Sequence, residues 1–294
     1  MRVFVTGASG FVGSAIVPEL IAGGHTVVGL ARSDASAAAI EALGADVVRG
    51  SLEDLDVLRD AAARSDGVTH CAFVHDFANY AESGQIDKRA IEALAAGLAG
   101  SNKPLIVTSG TALLAPGRLA LEDDAAPDGF PRASEQAGFA TLAHGVRAMA
   151  IRLSPSVHGE GDHGFVPRLI AIAREKGASA YVGEGLNRWS GVHRLDAAKL
   201  YRLALERGVA GARYHGVADE GVPFKEIAAV IGRHLNIPVV SKSPAEAAEH
   251  FGWFAMFAAI DAPTSNALTR ERLAWTPTEP GLLEDLDQGH YFET

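Results

Sequence analysis

Three glycines spaced three apart, Gly7, Gly10 and Gly13, follow the apolar run Val3-Phe4-Val5 and precede a helical pattern carrying Ile16, Val17 and Leu20. That arrangement suits an anion. Gly7 permits a tight turn out of a buried strand, Gly10 lets a diphosphate approach the backbone, and Gly13 lets a helix pack close to a sheet. The N–H groups and positive end of that helix then face the diphosphate, which makes Gly7, Ser9, Gly10, Phe11 and Val12 the expected contacts. A second signal lies at Ala31-Arg32-Ser33, at the end of the next strand pattern. An acidic residue there would accept from a ribose 2′-hydroxyl, whereas an arginine pairs with a 2′-phosphate. Arg32 and Ser33 therefore point to NADP(H), with Asp34 placed too late for the acidic role.

These residues need strands and helices to position them. Strand patterns at Val3–Val5, Thr26–Leu30, Asp46–Val48, Gly67–Cys71 and Pro104–Thr108 alternate with helical patterns over 35–43, 52–63 and 86–99. Such alternation with short loops predicts an α/β fold, a Rossmann-type doubly wound parallel sheet over residues 1–154. Ser33 or Asp34 is the expected cap of the helix over 35–43. Residues 155–294 are read as a mixed region that returns elements to the sheet and forms a smaller C-terminal substrate lobe. Within it, residues 165–174 read as a helix. Phe224, Ile227, Val230, Ile231 and Leu235 make a helical core face. The aromatic run Phe251 to Phe257, with Phe165, Tyr181 and Trp189, reads chiefly as core, with enough ring surface to line an apolar pocket or a subunit contact.

Composition bounds the function. The chain has 294 residues, 48% of them hydrophobic, and a net charge of −10. An acidic surface argues against nucleic acid or an anionic membrane as partner. Cys71 is the sole cysteine, so no internal disulfide can form, which fits a reducing cytoplasm. No apolar run reaches membrane-spanning length and no signal peptide is visible, so a cytoplasmic location is expected. The His158-x-x-x-x-His163 spacing lacks a rigid element to hold ligands, and no metal site is expected.

Thr6-Gly7-x-x-Gly10-x-x-Gly13 resembles the short-chain dehydrogenase/reductase superfamily, in particular its extended branch, the NAD-dependent epimerase/dehydratase family. Ser51-Leu52-Glu53-Asp54 resembles the family's adenine-side segment, and Cys71-Ala72-Phe73 falls where its backbone passes the cofactor riboses. The resemblance thus adds Ser51, Leu52, Ala72 and Phe73 to the cofactor contacts. Ser154 to Asp162 resembles the family's Leu-Arg-Pro-x-x-Val-Tyr-Gly-Pro-Gly-Asp segment, with His158 at the Tyr. Val192-His193-Arg194-Leu195-Asp196 resembles Val-His-Val-x-Asp, and Leu273 to Pro277 the terminal Leu-Gly-Trp-x-Pro. Asp196 is expected to be a helix N-cap. The family's habit implies a small-molecule substrate and a homodimer.

One motif is missing. Redox members use a Tyr-x-x-x-Lys pair, in which the Tyr moves a proton at the substrate oxygen and the Lys lowers its pKa. None of the five tyrosines has Lys four residues later. When Glu135 is set on the family's Glu, the Tyr and Lys positions fall on Pro127 and Pro131. Ser109 and Thr111 remain where the family carries its catalytic hydroxyl and are candidates to polarise a carbonyl. Three accounts follow. The first is an NADP(H)-dependent reductase of a small, neutral, moderately apolar carbonyl or imine compound. Its proton comes from His158, with His163, Arg132 and Tyr80 as further candidates. The second is a non-catalytic NADP(H)-binding sensor or scaffold. The third is an epimerase/dehydratase-like lyase.

Overall fold

The computed structural model describes residues 1–76, 79–126 and 132–293. The first half runs β1 (Arg2–Thr6), α1 (Gly13–Ala22), β2 (Thr26–Ala31), α2 (Asp34–Ala42), β3 (Asp46–Arg49), α3 (Leu55–Ala63), β4 (Gly67–His70), α4 (Tyr80–Leu98), β5 (Pro104–Gly110), α5 (Ser134–Ala140) and β6 (Arg147–Leu153). The second half runs β7 (Ser156–His158), α6 (Phe165–Lys176), β8 (Ser179–Val182), β9 (Arg188–His193), α7 (Arg194–Arg207), β10 (Arg213–Gly216), β11 (Asp219–Pro223), α8 (Phe224–Leu235), β12 (Val239–Lys242), α9 (Pro244–Phe251), α10 (Ala255–Ala259), α11 (Ala267–Leu273) and α12 (Leu282–Asp287).

The central sheet has seven strands in the order β10-β6-β5-β4-β1-β2-β3, all parallel. This is the doubly wound Rossmann-type sheet that strand–helix alternation predicts. Side chains of a strand alternate between faces, and β1 shows the consequence. Val3 and Val5 enter a core shared with Ile16, Val17 and Leu20 of α1 and Leu200, Tyr201 and Ala204 of α7. Phe4 enters the opposite core, with Leu58 of α3 and Ile91 and Leu94 of α4. Burial on both faces is why the strand reads as an unbroken apolar run.

β10 and α7 come from the second half, yet both pack into this first unit. Val192 of β9 and Leu273 of α11 join it as well, while much of the rest of the second half builds its own core around Trp189, Phe224, Phe251 and Phe254, with Phe165 edge-on to Phe254 at 5.0 Å. Most of the aromatic run is therefore core, while Trp253 and Met256 lie on the surface. Two helices start earlier or later than the periodicity predicts. α4 begins at Tyr80, six residues before the apolar face becomes regular, and α3 begins at Leu55 because Ser51 and Asp54 form a closed turn before it. Among the described residues no helix is long and apolar enough to cross a membrane.

Candidate functional site

The turn between β1 and α1 is shaped for a phosphate. Gly7 sits at φ +73°, and a Cβ on it would lie 2.7 Å from the Ala72 backbone nitrogen. A Cβ on Gly13 would lie 2.0 Å from the Gly7 carbonyl oxygen, so only glycine lets α1 start this close to the strand. At Gly10 the nearest obstacle is the Gly7 oxygen at 3.2 Å, which leaves its outer side open. No side chain caps α1 and its first turn holds no acidic residue. The N–H groups at its start thus keep their capacity to bind an anion. These features fit a dinucleotide diphosphate. Ala72 runs against Gly7, and Phe73 continues from it toward the ends of β4 and β5.

At the far end of β2, Arg32 is exposed. The Ser33 hydroxyl serves as the N-cap of α2, accepting from the Ser36 N–H at 3.2 Å. Beside them stands Arg49, paired in register with Ala31 and donating to the Ser33 carbonyl at 2.7 Å. The Ser51 hydroxyl donates to Asp54, 2.8 Å away, and Leu52 packs against the core under α3.

The ends of β4 and β5 carry a denser set of polar groups. Ser109 donates to Glu135 Oε1 at 2.9 Å. Glu135 also takes a bidentate pair from the fully buried Arg152 (Nε 2.6 Å, Nη2 2.8 Å) and a third contact from Arg213 at 3.0 Å. Burial alone would push this carboxyl up, but Arg152, Ser109 and Arg213 together hold it below its ordinary value. Thr111 is buried, its hydroxyl 3.4 Å from that of Ser190. Neither hydroxyl stands apart from the protein's own polar network.

Arg132 is placed differently. Its guanidinium lies 4.1 Å from the centre of the Phe73 ring and donates to the Thr108 carbonyl at 2.6 Å and to Ser134 Oγ at 3.0 Å, and the Tyr80 ring is tilted against the same Phe73 at 5.6 Å. Burial raises the Tyr80 phenol above its ordinary value, and the charge of Arg132 opposes that rise. Ser134 passes the contact inward to Asp87 at 2.6 Å. Asp87 meets His70 Nε2 at 3.0 Å, and His70 Nδ1 meets the hydroxyl of Thr6 at 2.7 Å. A buried polar chain thus runs from the residue before Gly7 to Arg132. Pro127 and Pro131, on which the family's Tyr and Lys positions fall, lie outside the described residues.

His158 is brought to neither group. It is fully buried at the end of β7, with Nδ1 2.9 Å from Asp285 Oδ2 and its ring edge-on to His193 at 5.5 Å. His163 is exposed and edge-on to Phe11 at 5.7 Å. Asp196 is not the N-cap of α7. His193 is, and the Asp196 carboxylate accepts from the backbone N–H groups of Thr278 and Glu279. Cys71 is partly buried, with a thiol pushed up to about 12 by burial.

Sequence reasoning missed Arg49 and the Glu135–Arg152 pair. Arg49 could be found only from the β2–β3 register. Arg152 had a visible signal, an arginine inside the apolar strand Ala150–Leu153, which needs a buried carboxylate.

A model described as the NAD dependent epimerase/dehydratase family matches residues 3–99. The chain is 51% identical over 297 residues to uncharacterized protein C2A9.02 of Schizosaccharomyces pombe, covering 99% of this chain and 100% of that one. It is 30% identical over 281 residues to the 4-hydroxy-2-methyl-3-oxo-4-farnesyl-3,4-dihydroquinoline-1-oxide ketoreductase of Stigmatella aurantiaca, covering 90% and 84% of the two chains. Its fold matches that of DesIV, a dTDP-glucose 4,6-dehydratase of Streptomyces venezuelae with NAD and TYD bound. That match has a TM-score of 0.78 at 18% identity, over 99% of this chain and 98% of that one.

Proposed function

The chain belongs to the NAD dependent epimerase/dehydratase family, the extended branch of the short-chain dehydrogenase/reductases, and on that premise we propose that it is an NADP(H)-dependent reductase of a small carbonyl or imine compound. The observation that carries this reading is the Arg132–Tyr80 pair over Phe73, a phenol beside a fixed cation at the ends of β4 and β5. It has the chemical parts of the missing Tyr–Lys pair, drawn from the first residue of α4 and the segment just before α5. The S. aurantiaca relative is a ketoreductase by name, which supports the same reaction class.

When bound, the dinucleotide supplies the hydride. Gly7, Gly10 and the start of α1 hold its diphosphate. Arg32 pairs with the 2′-phosphate, and Arg49, held by the Ser33 carbonyl and paired with Asp34, stands beside it. Tyr80 gives its phenol proton to the substrate oxygen as charge develops on it, and Arg132 stabilises the phenolate left behind. Ser109, whose hydroxyl donates to Glu135, fixes the floor of the site rather than polarising the carbonyl.

Oxidation of NADPH against a panel of ketones, aldehydes and imines tests the reading. Tyr80→Phe should lower kcat by about 10²- to 10⁴-fold and leave the Kd for NADP⁺ unchanged. Arg32→Ala should raise the KM for NADPH with little effect on NADH. Tight NADPH binding without turnover on any substrate would instead favour a sensor, a reading to which the internally bonded hydroxyls of Ser109 and Thr111 lend support.

A further inference from the structure

Arg194 opens α7, and its side chain reaches across to α1. Nη2 donates to the hydroxyl of Ser14 at 2.9 Å, and Nη1 donates to the Glu160 carbonyl at 2.9 Å. The guanidinium lies 4.7 Å from the centre of the Phe11 ring, and its Nε is buried with no partner among the described residues. His163 meets the other side of this arrangement, edge-on to Phe11. The segment Gly159–Gly164 is therefore tied to the glycine turn by one arginine and one ring contact. Tyr291, which binds the Gly159 N–H at 3.0 Å and Asp162 at 3.1 Å, holds its far side.

The electrostatics of this placement need explaining. A helix N-terminus carries a partial positive charge, and a cation beside it is unfavourable. The start of α1 has no acidic residue to offset that charge, and the carboxylate facing Arg194 is that of Glu160. An anion lying between the guanidinium and the α1 N–H groups turns two repelling positive ends into one binding site. Where the family pattern reads Val-His-Val, this chain has Val192-His193-Arg194.

We infer that Arg194 is a cofactor-binding residue that grips the dinucleotide diphosphate opposite the start of α1 and brings the Gly159–Gly164 strap over it. The inference rests on the dinucleotide-binding part of the proposed function.

Calorimetric titration with NADP⁺ and with adenosine 2′-monophosphate, which lacks the diphosphate, separates the contributions. In Arg194→Met the affinity for NADP⁺ should fall about ten- to hundredfold while that for adenosine 2′-monophosphate stays within twofold. Ser14→Ala, which removes the anchor and leaves the charge, should cost NADP⁺ affinity a smaller factor, about three- to tenfold. It also serves as the second variant should Arg194→Met fold poorly. Raising the salt concentration should weaken NADP⁺ binding more steeply in the wild type than in Arg194→Met. If the wild type binds NADP⁺ and both variants bind it within twofold of that value, the grip is overturned and the cofactor reading stands. If the wild type binds no dinucleotide, both fall together.

Discussion

Two ends of one sheet edge are prepared in opposite ways. At the β1–α1 turn the protein leaves its hydrogen-bond donors open: α1 has no side-chain cap and Gly10 leaves space at its outer side. At the end of β5 the hydroxyl donors are already committed. Ser109 donates to Glu135, and Thr111 is buried beside Ser190. A binding site keeps partners free for the ligand, whereas a structural network satisfies every buried group internally. The difference divides the labour. On the proposed function, the diphosphate end acts as a receptor, the Glu135 network as a brace, and Arg132 and Tyr80 as the polar groups of the substrate end that carry chemistry.

The brace should respond most strongly to substitution. Arg152 is fully buried and supplies two of the contacts on Glu135, so Arg152→Met leaves a buried carboxylate without its main partner. Removing one partner of a buried pair costs about 3–5 kcal/mol. Urea unfolding should show a loss of that size. A loss under about 1 kcal/mol would mean that Arg213 and Ser109 suffice, and that the network is not a brace.

Acid should weaken the same region next. His215 lies beside Arg152, with Nε2 3.4 Å from Nη1, and donates from Nδ1 to the Ser265 carbonyl at 2.8 Å. Burial, with Arg152 adding to it, drives the imidazole down to about 4. A histidine whose folded value is depressed leaves the unfolded chain binding more protons between that value and about 6.5. Stability is then full above about 6.5 and falls as pH drops toward 4. Unfolding free energy measured at pH 7 and pH 5 should differ by about 2 kcal/mol, and His215→Gln should shrink the difference. An unchanged free energy across that window would contradict the buried, neutral state of this ring.

What could be read from the chain follows the same divide. The glycine turn is local: strand, turn and helix are consecutive, so Gly7, Gly10 and Gly13 announce it, and the parallel sheet follows from alternation. The brace joins Ser109, Glu135, Arg152 and Arg213, which are distant in sequence, and no local pattern pairs them. The same holds for Tyr80 with Arg132, which meet only because α4 and α5 both start near Phe73. His158 shows the opposite hazard. Its loop is polar and rich in glycine, as an exposed site would be, yet Asp285 from 127 residues further on closes over it.

At the receptor end, stability and binding should separate. Gly10 does not lie in the left-handed region, and a Cβ there meets only the Gly7 oxygen at 3.2 Å. Gly10→Ala should therefore keep the melting temperature of the free protein within about 2 °C, since so slight a shift costs under about 1 kcal/mol. The methyl occupies the approach of the diphosphate, so NADP⁺ affinity should fall at least about tenfold. Equal affinity in the two proteins would show that the diphosphate does not pass Gly10.

Ser109→Ala is the smallest expected effect and the sharpest test of the division. A hydroxyl that polarises a reacting carbonyl must donate its single proton to that oxygen in the transition state. The loss of such a donor costs about 10²- to 10³-fold in kcat. In this protein the Ser109 proton points to Glu135, a carboxylate that Arg152, Arg213 and Ser109 hold in its charged form. A charged acceptor in a buried setting outcompetes a neutral carbonyl for that proton. Ser109→Ala should therefore change kcat less than about threefold and cost about 1 kcal/mol of stability, the worth of one hydrogen bond to a carboxylate that keeps its other partners. A hundredfold loss in kcat with unchanged NADP⁺ affinity would return Ser109 to the reaction and remove the distinction between receptor and brace.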